Sequence, residues 1–154
     1  MSVRQVPKGF HTITPYMTIR DAAGAIEFYK EAFGAKETFR WSGPDGGIRH
    51  AEIMIGDSSI MLTDEAPEFG MSGPLTLGGS PVHIFLYVED GDALFDQAIA
   101  AGATELMPME DQRDGDRRGG VTDPFGHVWY IGTQIEDISR EEIQERYDNL
   151  TIDR

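Results

Sequence analysis

The sequence predicts an α+β fold: two β-α-β-β-β modules forming a curved, cleft-enclosing mixed β-sheet, followed by a C-terminal helix. Three observations carry this. The chain repeats itself at an offset of about 69 residues, from Tyr16-Met17-Thr18-Ile19-Arg20-Asp21 to Phe85-Leu86-Tyr87-Val88-Glu89-Asp90. Each of these extended runs leads into a stretch with apolar side chains at helical spacing, and each helix is followed by three runs of strand character. The 154 residues, 40% hydrophobic and 10% aromatic, suit a single globular domain, since a chain of this size buries roughly 68–70% of its unfolded surface. The whole chain, 1–154, is read as one domain: module 1 over about 10–64, a linker over about 65–80, module 2 over about 81–135, and a helix over about 139–150.

The elements follow in order. The first strand ends at Asp21, placed to cap a helix whose stripe is Ala22, Ile26, Tyr29 and Phe33 and whose end is marked by Gly34. Strands are expected at about 36–42, 48–55 and 58–64, broken by Pro44-Asp45-Gly46-Gly47 and Gly56-Asp57. The stretch from 65 to 80 is rich in Pro, Gly and Ser and joins the halves. After the fifth strand, Asp90 or Asp92 caps a helix carrying Leu94, Phe95, Ala98, Ile99 and Ala101, closed by Gly102. Strands at about 104–110, 118–122 and 127–134 complete the second module, with Asp123-Pro124-Phe125-Gly126 as a turn. Ser139-Arg140-Glu141-Glu142 is a capping box, and Ile143, Tyr147 and Leu150 give the last helix a short apolar stripe.

Composition removes several classes of function. A formal net charge of −14 disfavours nucleic acid and anionic membrane surfaces as partners. No apolar run approaches the roughly 20 residues of a membrane span, and residues 1–8 carry no apolar stretch after their charges, so a cytoplasmic location is expected. With no cysteine, disulfides, thiolate metal sites and Cys nucleophiles are absent. No Gly-rich phosphate loop, zinc-finger spacing or Ser-His-Asp signature occurs.

Strand parity locates the candidate site. Ile13, Pro15, Met17 and Ile19, Ala51, Ile53 and Ile55, Ile60 and Leu62, and Val82, Ile84, Leu86 and Val88 form aliphatic faces. The opposite parity holds Thr12, Thr14, Tyr16 and Thr18, His50, Glu52 and Met54, Ser59, Met61 and Thr63, and His83, Phe85 and Tyr87. An unpaired polar group buried under a helix costs about 1–3 kcal/mol, so the mixed faces are expected to line a small-molecule groove. A solvent-facing sheet is the alternative, but such faces are rich in Lys and Glu, and these positions hold one charge, Glu52. Phe39 and Trp41 have ambiguous parity, His11 reads as a surface residue, His127 as a turn or helix-facing histidine, and the run 110–118 as a solvated hairpin.

The paired modules, with the phrases Ile13-Thr14-Pro15-Tyr16, Ile26-Glu27-Phe28-Tyr29, His50-Ala51-Glu52 and Asp123-Pro124-Phe125-Gly126-His127-Val128-Trp129, resemble the vicinal oxygen chelate superfamily. That grouping holds glyoxalase I, extradiol dioxygenases, fosfomycin-resistance enzymes and bleomycin-binding proteins, and the likeness over about 10–135 is to its PhnB-like branch. The resemblance implies that metal-using members take ligands at the positions of Thr14, Met61, His83 and Tyr130 here. Only His83 is a good ligand for a divalent cation. The expectation is therefore no metal cofactor, with a displaced divalent site at His50, Glu52 and His83 as the alternative. The ordinary reading pairs Glu52 with Arg40 instead.

Three functions remain open. The first is a metal-independent protein that binds a cationic or aromatic compound, with Thr14, Tyr16, His50, Glu52, Met61, His83, Phe85, Tyr87 and Tyr130 in contact with it. Resemblance to bleomycin-binding proteins implies a homodimer for it. The second is a lyase, isomerase or dioxygenase-type enzyme using the displaced metal, or using His83 or Glu52 as base and Tyr130 as acid. The third is a protein contact made by the helix at 139–150.

Overall fold

The computed structural model describes residues 2–151. Module 1 runs β1 (Tyr16–Ile19), α1 (Ala22–Phe33), β2 (Lys36–Ser42), β3 (Ile48–Ile55) and β4 (Ser58–Asp64). Module 2 runs β5 (His83–Tyr87), α3 (Gly91–Ala101), β6 (Thr104–Asp111), β7 (Asp116–Thr122) and β8 (Val128–Gln134). Between them lie a 3₁₀ turn (Pro67–Phe69) and a four-residue helix, α2 (Pro74–Leu77), where the sequence suggests only a linker. The chain ends in α4 (Arg140–Thr151). Among the described residues no helix is long and apolar enough to cross a membrane.

Each module makes a four-stranded mixed sheet, in the orders β1-β4-β3-β2 and β5-β8-β7-β6. The repeat extends to register: Tyr16 sits opposite Met61 as Phe85 sits opposite Tyr130, and Ala51 opposite Leu62 as Gly119 opposite Ile131. Both helices start as the sequence indicates. The Asp21 carboxylate accepts from the Gly24 N–H at 3.0 Å and the Asp90 carboxylate from the Ala93 N–H at 3.0 Å. Asp92, the other candidate cap, is drawn away to Arg117 at 2.8 Å. Gly34, at φ 67°, ends α1 in the left-handed conformation that glycine adopts without steric cost.

The aliphatic faces of both sheets meet α1 and α3 in one core that includes Ile19, Ile26, Ile53, Leu62, Ala98, Val121 and Ile131. The modules are joined by more than apolar contact. The Trp129 ring lies 5.1 Å from Tyr29 and 4.7 Å from Phe33. The Tyr29 hydroxyl and the Trp129 indole N–H both donate to Asp123 Oδ2, at 2.6 and 2.9 Å. The other carboxylate oxygen accepts from the Phe125 and His127 N–H groups of its own turn. Asp123 is only 4% exposed, so these four donors make its burial tolerable. Burial, then the neighbouring Asp123 charge, pushes the Tyr29 phenol well above its usual value. At the other end of the chain, the Ser139 hydroxyl accepts from the Glu142 N–H at 3.1 Å, and Arg146 ties α4 to Glu136 at 2.9 Å.

Candidate functional site

With both helices on the aliphatic side of the sheets, the mixed faces are left open. Tyr16 is 47% exposed, Phe39 49%, Trp41 60%, Phe85 38% and Tyr87 65%. The structure sorts the sequence-predicted site residues into two patches, one on each sheet.

On the first sheet one row crosses all four strands: Tyr16, Met61, Glu52 and Phe39 are successive cross-strand neighbours. The Tyr16 ring stacks on His50 with centroids 5.7 Å apart, 18° from parallel, and Phe39 lies 6.1 Å from the same imidazole. His50 Nε2 is 3.0 Å from the Glu52 carboxylate. This corrects the expected Glu52–Arg40 pair, because Arg40 turns along its own strand to Glu37 at 2.6 Å. A register shift between Glu37 and Phe39 resolves the parity of β2 and sets Phe39 and Trp41 opposite Glu52 and His50. The N-terminal segment closes one end of this face: the buried Ser59 hydroxyl donates to the Gly9 carbonyl. Thr14 donates to the His11 carbonyl at 3.1 Å, and His11 reaches the Asp57 carbonyl at 3.1 Å.

On the second sheet the corresponding row is Phe85, Tyr130, Gly120 and Met107. His83 packs against Tyr130 at 5.3 Å in an edge arrangement, and Phe85 lies 4.6 Å from Tyr87 and 6.1 Å from Tyr130. The Tyr87 hydroxyl donates to Asp116 Oδ2 at 2.7 Å, and this bond to a carboxylate raises the phenol above its usual value. A pocket of about 440 Å³ lies over this face, lined by Phe85, Tyr87, Tyr130, Met107, Asp114, Asp116 and Arg118.

Arg118 is the residue that sequence reasoning missed. It occupies on β7 the place that His50 occupies on β3, 68 positions earlier, and sits opposite Gly132. Its signal was present in the repeat, but the charged run 110–118 read as a solvent hairpin; β7 instead begins at Asp116, two residues before the expected start. Arg118 binds Asp114 at 2.6 Å. Burial opposes the charge on Asp114, but the Arg118 bond and charge, the Asp116 N–H and the Tyr147 hydroxyl together outweigh it and hold the carboxyl below its usual range. His127 crosses between modules, with Nε2 3.1 Å from the Thr18 carbonyl, and lines a separate cavity of about 400 Å³ with Met17, Leu77 and Ile84.

The alternative metal set does not assemble within one chain. His50 and Glu52 meet on β3, while His83 is on the other sheet beside Tyr130. Among the described residues no three His, Asp or Glu side chains form a group able to hold a metal ion. The physical reason is the placement of the helices: the two sheets share a core on their aliphatic sides. The cavity of about 650 Å³ that residues of both modules do line, Ser59 with Phe85 and Tyr87, includes none of His50, Glu52 and His83.

Comparison with known proteins fits this architecture. The profile of the glyoxalase/bleomycin resistance protein/dioxygenase superfamily matches residues 9–131. An uncharacterized protein of Mycobacterium tuberculosis is 46% identical over 135 residues, covering 86% of this chain and 79% of that protein. The crystal structure of TioX from Micromonospora superposes with a TM-score of 0.64 at 25% identity, over 80% of this chain and 98% of that one. The X-ray structure of an Arabidopsis thaliana gene product gives a TM-score of 0.64 at 29% identity, over 79% and 97%.

Proposed function

The chain belongs to the glyoxalase/bleomycin resistance protein/dioxygenase superfamily, and from that premise we propose that it is a metal-independent small-molecule-binding protein of the PhnB-like branch. Its groove closes between two copies of the chain, the first sheet of one facing the second sheet of the other. The observation that carries this is the pair of open aromatic faces. Five large aromatic side chains at 38–65% exposure, all on the sheet surfaces turned away from the helices, are unusual for a surface that meets only water. Bringing the faces together would set Tyr16, His50 and Glu52 across from His83, Phe85 and Tyr130. That lining suits a cationic or aromatic guest, held by rings worth about 0.5–2 kcal/mol each in cation–π contact and oriented by one carboxylate. Metal independence is supported by the donor chemistry of Thr14, Met61, His83 and Tyr130, of which only the imidazole is a good divalent-cation ligand.

The test uses proflavine, a flat aromatic cation. Binding should raise the melting temperature of the metal-free protein. Tyr130→Ala should weaken binding by about tenfold while leaving the melting temperature nearly unchanged. A large fall in melting temperature with unaltered affinity would make Tyr130 a packing residue and remove the main support.

A second reading is favoured by one contact. A carboxylate 3.0 Å from an imidazole, as at Glu52 and His50, is how a general base is oriented for proton abstraction. In that reading His83 and Tyr130 come from the second copy. Near-stoichiometric transition metal that is lost in His83→Ala, or turnover lost in Glu52→Gln, would move the assignment to this enzyme class.

A further inference from the structure

We infer that Gly120 and Gly132 are specificity-determining residues that make the second sheet a flat stacking floor, so that the groove prefers planar aromatic guests over flexible ones of equal charge. This rests on the groove reading above. A β-carbon built on Gly120 would stand 3.0 Å from both Cδ1 and Cε1 of Tyr130, and one on Gly132 would stand 2.8 Å from Cε1 and 2.9 Å from Cζ of Phe85. The ring edges therefore occupy the space that any other residue would fill. Phe85 lies against Gly132 and Tyr130 against Gly120, and Phe85 is tilted 32° from Tyr87 and 38° from Tyr130, so the three rings form one inclined row along the face. Neither glycine has a positive φ, so backbone conformation does not require them. Glycine inside a strand weakens it and marks a close approach from outside the backbone.

The repeat supplies the contrast. In the first module the same two places hold Glu52 and Thr63, opposite Met61 and Thr18. There Glu52 carries its carboxylate to His50, Thr63 is buried with its hydroxyl on backbone carbonyls, and Tyr16 lies over His50 instead. The two halves of the groove thus differ in kind: one polar wall with a single carboxylate, one aromatic floor. A flat guest with a cationic edge satisfies both, whereas a flexible polyamine gains only the charge.

The experiment compares proflavine with spermidine, a flexible aliphatic cation, on Gly120→Ala, Gly132→Ala and Phe85→Ala. The glycine variants add one methyl group with no backbone strain, which lifts the ring and leaves the strand intact. Each should lose about tenfold in proflavine affinity, keep its spermidine affinity, and show an unchanged or higher melting temperature. Gly119→Ala is not equivalent, because its β-carbon would strike the Met107 carbonyl at 2.9 Å. Unchanged proflavine binding in both glycine variants, with loss in Phe85→Ala, would overturn the glycine role and leave the groove standing. No effect in any variant, or no proflavine binding by the wild type, would overturn both. Equal weakening of both ligands with a lower melting temperature would mean that the rings merely shield the glycines, which also overturns the inference.

Discussion

Asp123 shows how one turn residue can fasten two modules. Its carboxylate takes four donors, one of them the Tyr29 hydroxyl from the other half of the chain at 2.6 Å. Tyr29→Phe removes that donor while keeping the ring in the core, and should cost about 1.5–3 kcal/mol, the range for hydrogen bonds to charged groups. The same residue gives the fold an alkaline weakness. Burial and Asp123 raise the folded phenol well above its usual value of 10.0. The fold favours the neutral form, so this stabilisation is fully present below about pH 10 and is lost as pH climbs from there toward the folded value. Urea titrations from pH 8 to 11 should show wild type losing stability faster than Tyr29→Phe above pH 10. Parallel curves would show that Tyr29 ionisation is not coupled to unfolding. The sequence shows Tyr29 as one member of an apolar stripe and Asp123 as a turn former; their partnership spans 94 positions and no local pattern reports it.

At the scale of elements, most of the fold is readable because the signals are local. β2, β3 and β4 fall on 36–42, 48–55 and 58–64 as the alternation and turn residues indicate. The helix caps are an independent check, since a shared geometry in the two modules predicts a shared cost. Asp21→Ala and Asp90→Ala each remove the acceptor for an N–H in the first turn, and each should lower stability by about 1 kcal/mol. Chemical denaturation of the two variants measures this directly. A cost confined to Asp21→Ala would mean that Asp92 takes over the cap of α3. Where the elements depart from expectation, the causes are irregularities that break a two-residue period. The shift near Thr38 turned Phe39 and Trp41 onto the mixed face, and another between Trp41 and Ser42 lets Ile48 reach the core against the parity of β3. Asp116 extends β7 because its carboxylate is already engaged by the Tyr87 hydroxyl, so an acidic residue there is not free to stay in solvent.

For the whole molecule, parity separates aliphatic from mixed faces along the strand centres. Ile13 and Val82, aliphatic by parity, are exposed beyond the strand starts, and Ser59, Thr63 and Ile48, of the mixed parity, are buried. Nor can parity say which mixed face meets which. That depends on where the helices sit, and here they join the aliphatic sides, leaving Tyr16, His50 and Glu52 on one open face and His83, Phe85 and Tyr130 on another. If the groove forms between copies, a two-fold dimer holds two grooves, each with one wall from each chain. This can be tested without knowing the natural ligand. Tyr16→Ala damages the first wall and Tyr130→Ala the second, so either variant alone has two damaged grooves per dimer. In a mixed dimer one groove receives both damaged walls and the other receives none. Random assortment of equal amounts makes half of the dimers mixed, so co-expressed chains should recover about a quarter of the wild-type proflavine capacity at wild-type affinity. A groove lying within each chain gives a different answer, because every chain then carries one damaged wall and mixing restores nothing. Sedimentation of the same samples fixes the other premise: a monomer at the concentrations used for binding would sink the shared groove, whatever the titration shows.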